Sequence, residues 1–176
     1  RILTFQASAF DHSATAPQLH WKARPSLDLA LSQACALWHL AGMARAFGSA
    51  PSLGEIDALA RAALARLPQP FAAHLAGVRL VVEDFADAET LAVLGIEDAF
   101  ELTGLYEGVP VGDKHSAPSG TLPDRIRLFR SPILDEWIAR GDESLEHLVA
   151  HVLVHEVGHH FGLSDAQIEA LEAEAD

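Results

Sequence analysis

Apolar residues recur at two different periods along the chain, and the changes of period divide it into helices and strands. The clearest helical stretch follows Ser52, which is positioned to form an S-x-x-E capping box with Glu55. Six apolar residues then repeat at helical spacing, namely Ile56, Leu59, Ala60, Ala63, Leu64 and Leu67. Pro68 and Pro70 predict the end of this helix, since proline interrupts helical hydrogen bonding.

Three short segments have the composition or alternation of β-strands, at 78–85, 102–107 and 125–130. In the last of them Ile126 and Leu128 alternate with arginines, which predicts one solvent-exposed face. Short helices are expected at 87–94 and at 131–140, the second with Ser131 as its N-cap. The composition of 113–123 predicts a loop.

The last long helix is predicted from about residue 144 to His160 and is apolar on nearly all sides. Between Leu148 and Val154 its only polar residue is His151. A helix of this kind is normally buried. Gly162 predicts its end, and an acidic helical piece follows at 165–174.

The charge of the chain excludes some classes of partner. Its net charge is −13, from 12 basic and 25 acidic residues. Nucleic acids and anionic membranes attract basic surfaces, so we expect neither as a partner. The apolar-rich stretch 27–46 is interrupted by polar and charged residues and is not expected to span a membrane. The only cysteine, Cys35, cannot form an intrachain disulfide, which favours a cytoplasmic location.

The first 50 residues differ from the rest, because 1–25 show no clear period and mix small polar residues with proline. The only methionine is Met43. We therefore predict an N-terminal extension at 1–50, without an assigned role, and a functional domain at 51–176.

Residues 155–165 read His-Glu-Val-Gly-His-His-Phe-Gly-Leu-Ser-Asp and contain H-E-x-x-H followed by x-x-G-x-x-D. Residues four apart share one face of a helix, so His155 and His159 are spaced to bind one metal ion. Glu156 lies about 100° further round the helix, where its carboxylate can deprotonate a zinc-bound water. Zinc is the expected cofactor, although the same donors also suit iron, cobalt or nickel.

A catalytic zinc usually has three protein ligands and one open position. Gly162 allows the chain to turn back, so Asp165 is the expected third ligand. The alternatives are the later glutamates Glu169, Glu172 and Glu174. A competing interpretation makes the histidines ordinary core residues, but two histidines and a glutamate are costly to bury without a ligand.

Three further histidines surround the motif. His151 continues the row of His155 and His159 and is a candidate for contact with the ligands. His147 lies about 12 Å from His155 along the helix, too far for a shared ion. His160 faces another side and is expected to be structural.

Residues 53–165 resemble the small zincin-like metallopeptidase family, a minimal bacterial group. The likeness rests on VVEDF at 81–85, GLYEG at 104–108, LPDRIRLFR at 122–130 and, most specifically, VLVHEVGHHFGLSD at 152–165. The extended motif is similar to that of metzincins. Those have His in the place of Asp165 and a Met-containing turn further on, whereas no Met follows Met43 here.

The resemblance implies an α+β, minimal zincin-like fold, with a small mixed β-sheet packed on an active-site helix. It also implies a zinc metallopeptidase in which His155, His159 and Asp165 bind Zn²⁺ and Glu156 is the general base. The substrate would be a peptide or protein, while the cleavage preference and the oligomeric state stay open.

Zincin folds often bind an extended substrate along an edge strand, for which 102–107 and 125–130 are candidates. Tyr106 is expected either to pack or to assist the oxyanion. The alternative function is a non-catalytic zinc-binding interaction module on a peptidase scaffold, which a fourth protein ligand would favour.

Overall fold

The computed structural model describes residues 2–6, 49–116 and 123–173. In chain order the elements are β1 (Ile2–Gln6), α1 (Leu53–Arg66), α2 (Gln69–Leu75), β2 (Arg79–Glu83), α3 (Ala88–Leu94), β3 (Leu102–Glu107), β4 (Arg125–Phe129), α4 (Arg130–Arg140), α5 (Leu145–His160) and α6 (Asp165–Ala173). Short 3-10 helices lie at Ala99–Glu101 and Val111–Ser116.

The four strands of the described residues form one mixed sheet in the order β1-β3-β4-β2. β2 and β4 are parallel, whereas β3 runs antiparallel to both of its neighbours, β1 and β4. Helices account for most of the other described residues. The predicted α+β fold with a small mixed sheet is therefore confirmed.

Helix α5 forms the centre of the main core. Every residue of α5 is buried except Glu146, His147 and His151, as expected for a helix that is apolar on nearly all sides. Its apolar side chains pack with those of α1 and with one face of β3 and β4. A smaller cluster on the other face of the sheet contains Leu102, Leu105 and Phe129.

Two local features differ from the sequence-based expectations. Helix α1 ends before Pro68, as predicted, but the prolines also begin a second helix, α2, that was not predicted. Pro68 is the N-cap of α2 and Pro70 lies in its first turn, where no backbone donor is needed. Helix α4 begins at Arg130, so Ser131 is not its N-cap. The Ser131 backbone N–H instead donates to the Asp84 carbonyl at 3.1 Å, and this bond joins α4 to the end of β2.

The predicted exposed face of β4 is wrong at Arg127, which is only 4% exposed. Its guanidinium donates to Glu83 at 2.6 Å, to Asp87 at 3.0 Å and to Thr90 at 3.0 Å. A buried arginine is tolerated because these partners balance its charge and satisfy its donors.

Neither strand proposed as a substrate-binding edge is free on either side. β4 lies between β3 and β2, so the prediction for 125–130 is wrong. The outer side of β3 is paired with β1, which belongs to the segment assigned to the extension. The division at residue 50 stays a prediction.

The stretch 27–46, Cys35 and Met43 lie outside the described residues. In the described part of the chain, no helix has the length and apolar character needed to cross a membrane.

Candidate metal centre

Helix α5 carries both histidines of the motif on one face. Its N-terminus is capped by Ser144, whose side chain accepts a hydrogen bond from the His147 backbone N–H. From there an uninterrupted helix places His155 and His159 one turn apart. Their ring centroids are 4.9 Å apart and both rings are buried.

The chain turns back at Gly162 and brings Asp165 to the histidines. Gly162 has a φ of 85°, a left-handed conformation that favours glycine. The Leu163 N–H donates to the Gly158 carbonyl at 3.1 Å and closes the end of α5. Asp165 Oδ1 consequently lies 3.2 Å from His155 Nε2 and 3.1 Å from His159 Nε2.

These three side chains have the spacing that a bound metal requires. One donor atom from each of His155, His159 and Asp165 lies within 4.8 Å of the other two. Tetrahedral zinc with bonds of about 2.1 Å would need ligand atoms about 3.4 Å apart, close to the two distances that Asp165 makes. The donor set of two imidazoles and one carboxylate also suits zinc. The residues present therefore fit a zinc ion.

Hydrogen bonding and burial prepare His159 as a ligand. Its Nδ1–H donates to the Leu163 carbonyl at 3.0 Å, which leaves the Nε2 lone pair facing Asp165. Burial lowers the pKa of His159, and the neighbouring His155 lowers it further. Both effects favour the neutral imidazole, the form that binds metal.

The surroundings of Asp165 favour its ionised, carboxylate form. The hydrogen bond with His155 is the main cause that lowers the pKa of Asp165, although partial burial opposes it. The side chain of Asp165 is 60% exposed, whereas the two imidazoles are shielded from solvent. The cluster therefore opens to solvent on the side of Asp165.

Glu156 is buried beneath β3, next to this cluster. A Cβ at Gly104 would lie only 2.6 Å from Glu156 Oε1, so the carboxylate packs directly against the strand backbone. Neither carboxylate oxygen accepts a hydrogen bond of normal geometry from the described residues. Burial raises the pKa of Glu156 well above its usual value, and the Tyr106 backbone N–H opposes this only partly.

His147 and His151 lie outside the cluster. His147 pairs with Glu143 through Nδ1. His151 is partly exposed at the protein surface, and burial of its ring lowers its pKa to about 4. Neither of them joins the three donors that the described residues bring together.

His160 is fully buried on another side of α5, as expected for a structural residue. Its Nδ1 and the Tyr106 hydroxyl lie 3.2 Å apart in a hydrogen bond. Tyr106 is also fully buried, so the arrangement favours the packing role over the oxyanion role for this side chain. Asp124 lies next to this pair, 3.7 Å from His160 Nδ1.

The alternative third ligands are not part of the cluster as far as the structure describes them. Glu169 is exposed on α6 and is absent from the group of close donors. The side chains of Glu172 and Glu174 lie outside the description.

Two glycines that shape the site were not recognised from the sequence. Gly104 makes room for Glu156, and Gly158 makes room for Ile168 of α6. The only signals were a glycine within the strand segment GLYEG and one between the two histidines of the motif.

The model of a protein family described as zincin-like metallopeptidase matches residues 75–175, more than half of the chain. The matched region contains three of the four described strands and all of the cluster. No curated protein matches the chain.

Proposed function

Because the chain belongs to the zincin-like metallopeptidase family, we propose that it is a zinc-dependent peptidase that hydrolyses peptide bonds. The observation that carries this proposal is the position of Asp165 Oδ1, about equally far from His155 Nε2 and His159 Nε2. Glu156 provides a protonatable carboxylate next to these donors. Cleavage of a small-molecule amide would use the same residues. We propose a peptide as the substrate only because the family is described as a metallopeptidase family.

His155, His159 and Asp165 are the residues that would hold the ion. When bound, zinc lowers the pKa of a coordinated water and polarises the carbonyl that is attacked. The described cluster offers three protein donors, the number that an open catalytic site uses. A non-catalytic zinc module with a closed site would need a fourth.

Glu156 is the proton carrier in this proposal. It accepts a proton from the attacking water and later donates it to the leaving nitrogen. Its burial suits both steps, because a carboxyl group with a raised pKa holds a proton more readily than an exposed one. The carboxylate fits in this place because Gly104 of β3 has no side chain that would collide with it.

Metal content and hydrolysis should be measured on the same preparations. We expect about one zinc per chain by inductively coupled plasma mass spectrometry in the wild type and in Glu156→Gln, and loss of zinc in His159→Ala. In a peptide-library assay Glu156→Gln should lose activity by at least about 100-fold. A wild-type protein that takes up no zinc, or an active Glu156→Gln free of contaminating peptidase, would contradict the proposal.

The cytoplasmic location and the absence of a nucleic-acid partner stay predictions. They rest on the single cysteine and on the net charge of −13.

A further inference from the structure

The strand edge closest to Glu156 is the outer edge of β3, and residues of the chain itself occupy it. Gly104 of β3 lies directly over the Glu156 carboxylate. On the side away from β4, Gly104 is paired with Phe5 of β1. β1 also lies close to helix α5, which carries Glu156. A segment from the first six residues therefore runs beside the position proposed for catalysis.

An extended peptide binds a sheet by adding a strand to a free edge. The outer edge of β2 lies two strands from β3, about 10 Å away, and the outer edge of β1 lies one strand from it. Only a peptide paired with β3 itself would have its backbone in the strand position next to Gly104 and Glu156. Among the described strands, that position is held by β1.

β1 is a short strand, and its pairing with β3 is irregular near one end. β1 has five residues and runs antiparallel to β3, from Ile2 opposite Glu107 to Phe5 opposite Gly104. The register then shifts between Phe5 and Gln6, which is paired with Leu102. Such an irregularity interrupts the ladder of hydrogen bonds and weakens a strand that is already short.

We propose that Ile2–Gln6 is an intramolecular inhibitory segment, which occupies the substrate edge of β3 and must leave it before a peptide can bind. The inference rests on the proposed peptidase function, because that function makes the edge of β3 a substrate site. The proposed occupant is this segment in its own chain, held by backbone hydrogen bonds that a substrate would otherwise form.

The first test weakens the pairing in the full-length protein. The variant Leu3→Pro/Thr4→Pro removes two successive backbone donors, one of which faces β3 because donors alternate along a strand. The matched control Leu3→Ala/Thr4→Ala keeps both donors. Amide hydrogen exchange reports on β3, and fluorescence anisotropy reports binding of a labelled peptide with the chain's own sequence from 1 to 8.

We expect the proline variant to exchange the outward-facing amides of β3 at least about tenfold faster than the wild type and to bind the peptide saturably. The wild type and the alanine variant should keep the protection and bind the peptide at least about tenfold more weakly. Unchanged protection of β3 in the folded proline variant would overturn the proposal. Equal peptide binding by the wild type and the proline variant would do so too.

A second variant covers the case in which the proline protein does not fold. Ile2→Cys/Glu107→Cys, in a Cys35→Ser background, places two thiols at directly opposite positions. Opposite Cα atoms in an antiparallel pair are about 4.5–5.5 Å apart, within the range that a disulfide spans. Oxidation should abolish the peptide binding and hydrolysis that the reduced form of this variant shows, and reduction by a phosphine should restore both to the level of that reduced form. A cross-linked protein as active as its own reduced form would overturn the proposal.

The two proposals fail in different ways. If no form hydrolyses any peptide but weakening β1 still exposes β3 and permits peptide binding, the peptidase function fails and the occupied edge stands. If the cross-linked protein hydrolyses peptides at the rate of its own reduced form, the peptidase function stands and the inhibitory segment fails.

Discussion

Ile168 of α6 packs against the backbone of α5 at Gly158, the residue immediately before His159. A Cβ at Gly158 would lie 2.6 Å from Ile168 Cδ1 and 2.8 Å from its Cγ1. The absence of a side chain at this one position therefore lets α6 approach α5. Because α6 begins with Asp165, the same contact sets the distance between Asp165 and the two histidines.

The variant Gly158→Ala should weaken zinc binding by at least about tenfold, measured by competition with a chelator. Alanine can occupy this position only if the Ile168 side chain moves. Because Ile168 is buried and has little room to turn, we expect α6 to shift with it, and Asp165 with α6. The free energy of unfolding should change little, because the cost of the collision is offset by the higher helix propensity of alanine, which exceeds that of glycine by about 1 kcal/mol.

Gly54→Ala is the matched control, since Gly54 also lies in a helix and a Cβ there would meet nothing closer than Ser52 Oγ at 4.0 Å. It should leave zinc affinity unchanged. The double variant Gly158→Ala/Ile168→Ala should recover part of the lost affinity, because it removes the group that collides. Wild-type affinity in Gly158→Ala would show that this contact does not position Asp165.

Asp165→Ala should reduce zinc affinity by more than the roughly 10–100-fold that the loss of an outer hydrogen-bond partner causes. The reason is that Asp165 would supply one of three direct bonds. Glu169→Ala, on the exposed face of the same helix, is the control and should bind zinc as the wild type does. The reverse result, with zinc lost only in Glu169→Ala, would assign the third bond to the later glutamate.

The parts of the site that depend on local spacing could be predicted from the sequence. His155 and His159 are one helical turn apart in any α-helix, and the buried character of α5 follows from its apolar residues. The position of Asp165 beside them could be predicted because only one short turn at Gly162 separates it from His159, whereas its role as a ligand stays a prediction.

The parts that depend on distant pairing could not be predicted. Ile168 leaves no space for a side chain at Gly158. Glu156 leaves none at Gly104, from which it is more than fifty residues away in the sequence. Arg127 alternates with apolar residues as an exposed residue would, and its burial depends on Glu83 and Asp87. Five residues at the start of the chain likewise contain no signal for pairing with 102–107.

Tyr106→Phe should lower the free energy of unfolding by about 1–2 kcal/mol while leaving kcat unchanged within about twofold. The hydroxyl is buried and hydrogen-bonded to His160 Nδ1 at 3.2 Å, so its removal leaves a buried polar group without that partner. Urea unfolding and peptide hydrolysis by the same preparation measure the two quantities. A large fall in kcat with stability and zinc content retained would instead support the oxyanion role.

The metal-free protein should lose stability in acid partly through Asp124, which lies beside Tyr106 and His160. Burial acts to raise the pKa of Asp124. The bond from Lys114 at 2.6 Å and the bond from the Val109 backbone N–H at 3.1 Å outweigh it, so the pKa of Asp124 in the folded protein lies below the ordinary value of 3.8.

When the pH falls below this ordinary pKa, Asp124 becomes protonated in the unfolded chain while it stays ionised in the folded protein. The contribution of Asp124 to stability is therefore complete above the unfolded pKa and is lost as the pH falls through the folded pKa.

Asp124→Asn should be less stable than the wild type at pH 7, by about 1–3 kcal/mol. This difference should shrink as the pH falls below about 4. Urea unfolding at pH 7 and at pH 3, with a chelator present, measures it. A difference that is the same at both pH values would mean that the lost interaction is a neutral hydrogen bond and not the charge of Asp124.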